Sequence, residues 1–153
     1  MSYERHNIKS ISKDLQKFVI NTPVLRFDII DSLCNCNVFF KCENFQHTGS
    51  FKYRAAINAI KKMPVEFKQT GVITHSSGNF AHALARAAYE LKIPCHIVMP
   101  NNTPNFKKSS VLSYTKNVIE CESNLKAREF TTIEILKNKN CLLYTSDAAD
   151  DLL

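Results

Sequence analysis

Glycine is scarce here: three residues in a chain of 153. No two lie close enough to form a glycine-rich run, so the chain has no loop of the kind whose bare backbone wraps a phosphate. Long apolar runs are also missing, and none approaches the length that crosses a bilayer. The first residues, Met1 to Arg5, lack the apolar centre of a secretory signal. Six cysteines are present, but no C-x-x-C pair. The lone C-x-C, Cys34 and Cys36, has no histidine pair at ligand spacing, which argues against a zinc site. Lysines are spread thinly, with only short pairs such as Lys61-Lys62 and Lys107-Lys108. No basic stripe with interleaved aromatics appears, which argues against a nucleic-acid partner.

What remains is ordinary globular composition, 44% hydrophobic and 22% charged. The expectation is a cytoplasmic protein with no membrane segment and with its cysteines as buried free thiols in a reducing compartment. A formal charge of +6 fits an anionic small-molecule ligand more economically than a polymer.

The apolar pattern orders the chain. Ile8, Ile11, Leu15 and Phe18 recur at helical spacing, and Asn21-Thr22-Pro23 stops that helix. Val24-Leu25 reads as extended, Ile29, Ile30 and Leu33 as a short helix, and Val38–Cys42 as a strand. Ser50–Lys62 reads as a helix with Ser50 as its N-cap. A regular alternation follows. Strands are expected at Gly71–His75, Cys95–Met99 and Asn117–Cys121. Helices are expected at Asn79–Leu91, Asn105–Tyr114 and Lys126–Lys137. Alternation of this kind implies an α/β fold, an open parallel twisted sheet with flanking helices. Ligands of such sheets sit beyond the carboxyl ends of the strands.

Two places then stand out. Lys52 closes the run His47-Thr48-Gly49-Ser50-Phe51-Lys52 at a loop-to-helix junction. By itself it is most simply a solvated lysine in a first helical turn. The positive end of the helix dipole nevertheless disfavours a second positive charge, which suits a lysine that must act as a neutral nucleophile. Ser76-Ser77-Gly78-Asn79 follows a strand end and opens a helix. By itself it is a capping turn, yet its hydroxyls and backbone amides can also line an anion site.

Together these two segments carry a family resemblance. Phe39 to Lys52 resembles the cofactor-lysine region of fold-type II pyridoxal-phosphate enzymes, the tryptophan-synthase-β-like fold. Val72 to Asn79 resembles their substrate and ring-binding loop. Within that class the chain is most similar to the serine racemases and the serine/threonine dehydratases, from about Ile11 to about Glu129. The resemblance implies that Lys52 forms a Schiff base with pyridoxal 5'-phosphate and serves as base on one face of the ring. It implies that Ser77 is the acid–base group on the other face. Phe51 and Asn79 would contact the cofactor, and Ser76, Ser77, Gly78 and Asn79 would hold the substrate. The implied substrate is serine or threonine, the implied reactions are racemisation and loss of water, and the implied assembly is a homodimer. A divalent metal such as magnesium would belong to the full-length protein.

The chain departs from the pattern in places. Phe80 stands where the family usually has histidine, which would make the site wall more apolar, and Ala55 stands where it commonly has glycine. Enzymes of this class are roughly twice this length, so the fold is expected to be incomplete. Residues 1–140 read as the N-terminal part of the enzyme domain. Residues 141–153 read as the in-frame translation of a sequencing adapter. The other reading is a truncated, non-catalytic chain that serves as a binding or interaction module.

Overall fold

A computed structural model describes residues 5–145. The eight residues at the end of the expected adapter tail, 146–153, lie outside the described residues. Helix α1, Arg5–Leu15, leads to a two-residue strand β1, Val24–Leu25. After α2, Asp28–Cys34, strand β2, Phe40–Lys41, pairs antiparallel with β1. The expected strand Val38–Cys42 is thus only two residues long and belongs to a separate ribbon. The alternation that follows is the expected one: α3 (Lys52–Lys62), β3 (Val72–His75), α4 (Asn79–Glu90), β4 (Cys95–Pro100), α5 (Asn105–Leu112), β5 (Val118–Cys121) and α6 (Leu125–Lys139). A last strand, β6 (Leu142–Leu143), pairs Leu142 with Val72 and Leu143 with Ile73.

Strands β3 to β6 form one sheet in the order β5-β4-β3-β6, and all three pairings are parallel. Side chains alternate across it, as the pleat requires. Val72, Ile97 and Met99 join the main core with α3 and α4, while Ile73 and Val98 pack with Cys141, Ile135 and Leu136 beneath α6.

Helices α3 and α4 are packed through small side chains. Ala55, Ala56 and Ala59 on α3, and Ala81, Ala83, Ala85, Ala87 and Ala88 on α4, are all buried. Alanine costs no side-chain entropy and leaves room for close approach of the two helix backbones. Gly71 enters β3 with φ +87, and an added Cβ there would stand 2.1 Å from the Pro94 carbonyl oxygen. Here the chain needs glycine for both conformation and space.

The thiols only partly match expectation. All six are free, but only Cys95 and Cys141 are buried; Cys34 and Cys36 are exposed, and Cys42 and Cys121 are intermediate. The reason is that α2 lies outside the core and buries none of its residues.

Candidate active site

Lys52 is the first residue of α3 and is half-buried. Its Nζ lies 5.0 Å from the centroid of the Phe51 ring, itself 47% exposed. The approach to Lys52 is two short 3-10 turns, Glu43–Phe45 and His47–Gly49. Thr48 and Gly49 have φ of 63° and 71° in succession. Glycine adopts that region freely, whereas a β-branched threonine there is strained and must be held by its surroundings. Ser50 follows in extended conformation and is not the N-cap expected of it; Phe51 holds that position. The left-handed pair turns the chain so that Ser50 points inward. Its Oγ is buried without a hydrogen-bond partner among the described residues, as is Thr48 Oγ1.

A polar clamp surrounds this loop. Arg54 donates from Nε to Glu43 Oε2 and from Nη2 to Glu43 Oε1, both at 2.8 Å. The same Nη2 donates to the Ile20 carbonyl at 3.1 Å, and Thr22 Oγ1 donates to Glu43 Oε1. Gln46, 4% exposed, accepts from the Ile20 and His47 amides and donates to the Ile20 carbonyl, each at 3.0 Å. The Arg54 guanidinium holds the Glu43 carboxyl below its usual range, against the opposing effect of burial.

The second segment lies where the sheet predicts. Ser76, Ser77 and Gly78 follow the carboxyl end of β3, and Asn79 opens α4. The two serines are half-buried, Gly78 and Asn79 are exposed, and the Gly78 amide donates to Ser76 Oγ at 3.4 Å. A cleft of about 110 Å³ runs from Gly78 and Asn79 past His82 to Phe106, Lys107 and Ser110. Phe80 turns the other way. It is 3% exposed within the main core, so it does not form the apolar site wall that its position suggests.

Helices α3 and α4 are tied together by a second set of polar contacts. Tyr53, next to Lys52, is fully buried and donates its hydroxyl to Glu90 at 2.5 Å. Arg86 donates to Glu90 at 3.0 Å and to the Tyr114 hydroxyl at 3.3 Å. Its guanidinium lies 5.7 Å from both the Tyr53 and Tyr114 ring centroids. Burial, with Glu90 beside it, pushes the Tyr53 hydroxyl far above its ordinary value, so it stays a donor. Burial and then Arg86 hold His47 and His82 below the usual imidazole range.

A family model for pyridoxal-phosphate dependent enzymes matches residues 15–152. The chain belongs to that family. It is 39% identical to serine racemase of Dictyostelium discoideum over 137 residues, which is 90% of this chain and 42% of the relative. It is 40% identical to β-hydroxyaspartate dehydratase of Paracoccus denitrificans, covering 79% of this chain and 38% of the relative. The crystal structure of the Dictyostelium serine racemase superposes with a TM-score of 0.85 at 38% identity, over 92% of this chain and 46% of that one. The chain therefore spans less than half the length of the relatives it matches.

The donor set suits the family's cofactor in part. Lys52 offers an amine and Asn79 an amide that could meet such a group, and a Cβ built on Gly78 would meet nothing within 4 Å, so the approach there is open. A glycine-rich phosphate cradle is not in the sequence. Among the described residues, no group of three or more His, Cys, Asp or Glu could hold a metal ion, and no helix is long and apolar enough to cross a membrane.

Sequence reading missed the Glu43–Arg54 clamp and the Tyr53–Arg86–Tyr114 stack. Their members lie 11 and 28 to 33 positions apart, and no local periodicity connects them.

Proposed function

We propose that the full-length protein containing this chain is a racemase or dehydratase of serine or threonine, dependent on pyridoxal phosphate. What supports this reading is that, in a chain of the pyridoxal-phosphate dependent enzyme family, Lys52 opens α3 and Ser77-Gly78-Asn79 opens α4, two helices packed against each other. The family's cofactor, when bound, supplies the electron sink that makes a Cα proton acidic.

The residues of this chain do the rest. Lys52 would hold the cofactor by its aldehyde, and its amine, once displaced by the substrate's amino group, would take or return the Cα proton on one face. Ser77 Oγ gives or takes the proton on the other face, because inversion needs an acid–base group on each side of a planar carbon. The hydroxyls of Ser76 and Ser77 and the amides of Gly78 and Asn79 bind the substrate carboxylate at the positive end of α4. The Asn79 side chain would bond the cofactor's ring hydroxyl, and the Phe51 ring would flank its pyridine. If the β-hydroxyl leaves instead of a proton returning, serine becomes pyruvate and ammonia.

The test is spectroscopic. Full-length protein with pyridoxal phosphate should show the visible band of lysine-bound cofactor, and Lys52→Ala should lose it. A folded full-length protein without the band overturns the reading and favours the non-catalytic alternative. Ser77→Ala should suppress interconversion of serine enantiomers by about 10²- to 10⁴-fold, and loss of water from L-serine by less. Equal losses would assign Ser77 a role common to both reactions.

The same reading makes the full-length protein a cytoplasmic homodimer whose phosphate cradle and magnesium ligands lie outside residues 1–140. Residues 141–153 are proposed as adapter-derived, with the boundary to be fixed by reading the genomic sequence past Asn140. The same tail in genomic DNA would refute that assignment.

A further inference from the structure

We infer that Glu43, Arg54 and Gln46 are positioning residues that set the backbone presenting Lys52. The inference rests on the proposed role of Lys52 and extends it to three residues that do not touch the reacting atoms. Glu43 and Arg54 bracket the segment 44–53, which holds two short 3-10 turns, two consecutive left-handed residues and the lysine itself. Such a segment has no ladder of its own to hold it. Besides the Tyr53–Glu90 bond near its end, it is anchored by the clamp: a two-pronged Arg54–Glu43 pair, Thr22 on the same carboxylate, and Gln46 closing on both backbone groups of Ile20.

The two-pronged geometry matters. One hydrogen bond permits rotation about it, whereas two parallel ones fix the plane of the guanidinium and hence the orientation of the first turn of α3. Arg54 is two residues after Lys52, about 200° around the helix. It therefore restrains the turn from the side away from the lysine. Lys41 reinforces the arrangement by donating to the Thr22 carbonyl at 2.7 Å. A lysine stem has four rotatable bonds, so small errors in its Cα position are magnified at Nζ, and a displacement of about 1 Å costs on the order of 10²-fold in rate.

The experiment uses the full-length protein and measures how fast Lys52 captures added pyridoxal phosphate. The visible band is followed by stopped flow, and borohydride reduction with peptide mapping confirms attachment to Lys52. Glu43→Ala and Arg54→Ala should each slow capture by about ten- to a hundredfold. The double variant should be no slower than the slower single one, because both remove the same clamp. Arg54→Lys should recover only part of the rate, since it keeps the charge and loses the fork. Capture at the wild-type rate by folded variants that merely melt at lower temperature would make the clamp structural and overturn the inference. Should the alanine variants fail to fold, Glu43→Gln keeps the shape while weakening the pair; slower capture supports the clamp and an unchanged rate overturns it. A wild-type protein that forms no band on Lys52 sinks the proposed function itself, whereas a normal wild type with indifferent variants sinks only the clamp.

Discussion

Individual side chains in this chain are tuned mainly by burial. The Cys95 thiol is pushed up to about 12, first by desolvation and then by the neighbouring Cys141. A thiolate is the reactive form, so Cys95 should resist a thiol reagent until the protein unfolds. Cys34 and Cys36, which are exposed, should react first, with Cys42 and Cys121 slower. Peptide mapping after brief labelling checks that order; early modification of Cys95 would contradict the packing. Glu43 makes a complementary case in acid. Its folded value lies below the ordinary 4.5 because of Arg54. Its contribution to stability is therefore complete above about pH 4.5 and lost as pH falls through the lower folded value. Thermal melts across that window should show a drop, and Glu43→Gln should flatten it.

Among the elements, β3 and α4 carry the tightest steric demands. Gly71 adopts a left-handed φ and has no room for a Cβ against Pro94. Gly71→Ala should cost at least the roughly 1–3 kcal/mol of a misfit backbone conformation, lowering the melting midpoint by about 2–4 °C for each kcal/mol. A melt unchanged within error would show that the Pro94 turn gives way. On α4, Ala85 is wholly buried, and Ala85→Leu should destabilise by about 1–3 kcal/mol through overpacking. By contrast α2 contributes no buried residue. Asp31 holds its end together through the Val38 amide at 2.7 Å and through Arg26. The helix is thus shaped by polar contacts while Ile29 and Leu33 face outward.

The outward apolar residues define the whole molecule. Ile29 is 70% exposed, Leu33 78% and Phe39 66%, with Val24, Leu25, Phe27 and Phe40 also exposed nearby in the β1–α2–β2 unit. A two-stranded ribbon is marginal by itself, and exposed apolar surface on this scale favours association. The 153-residue chain should therefore bind a hydrophobic dye and self-associate in sedimentation. Leu33→Ser with Phe39→Ser should reduce both without lowering the melting midpoint. Unchanged association in that double variant would place the contact elsewhere, for instance on Phe130 and Ile133 of α6, which are also exposed.

The sequence by itself determined the strand–helix alternation from α3 to α6, because apolar spacing is local and each amphipathic face needs only its own residues to be visible. It also determined family membership through the Phe39–Lys52 and Val72–Asn79 segments, whose order and chemistry are readable in one dimension. Only the tertiary structure decided that β1 and β2 stand apart from the parallel sheet, since two short strands carry no signal of their partners. It alone turned Phe80 into the core and Ser50 away from capping, because the left-handed Thr48–Gly49 pair and the α3–α4 packing set those directions. The Glu43–Arg54 clamp belongs to the same class: two charges 11 residues apart meet only after a loop has folded between them, and that folding places Lys52 at the head of its helix.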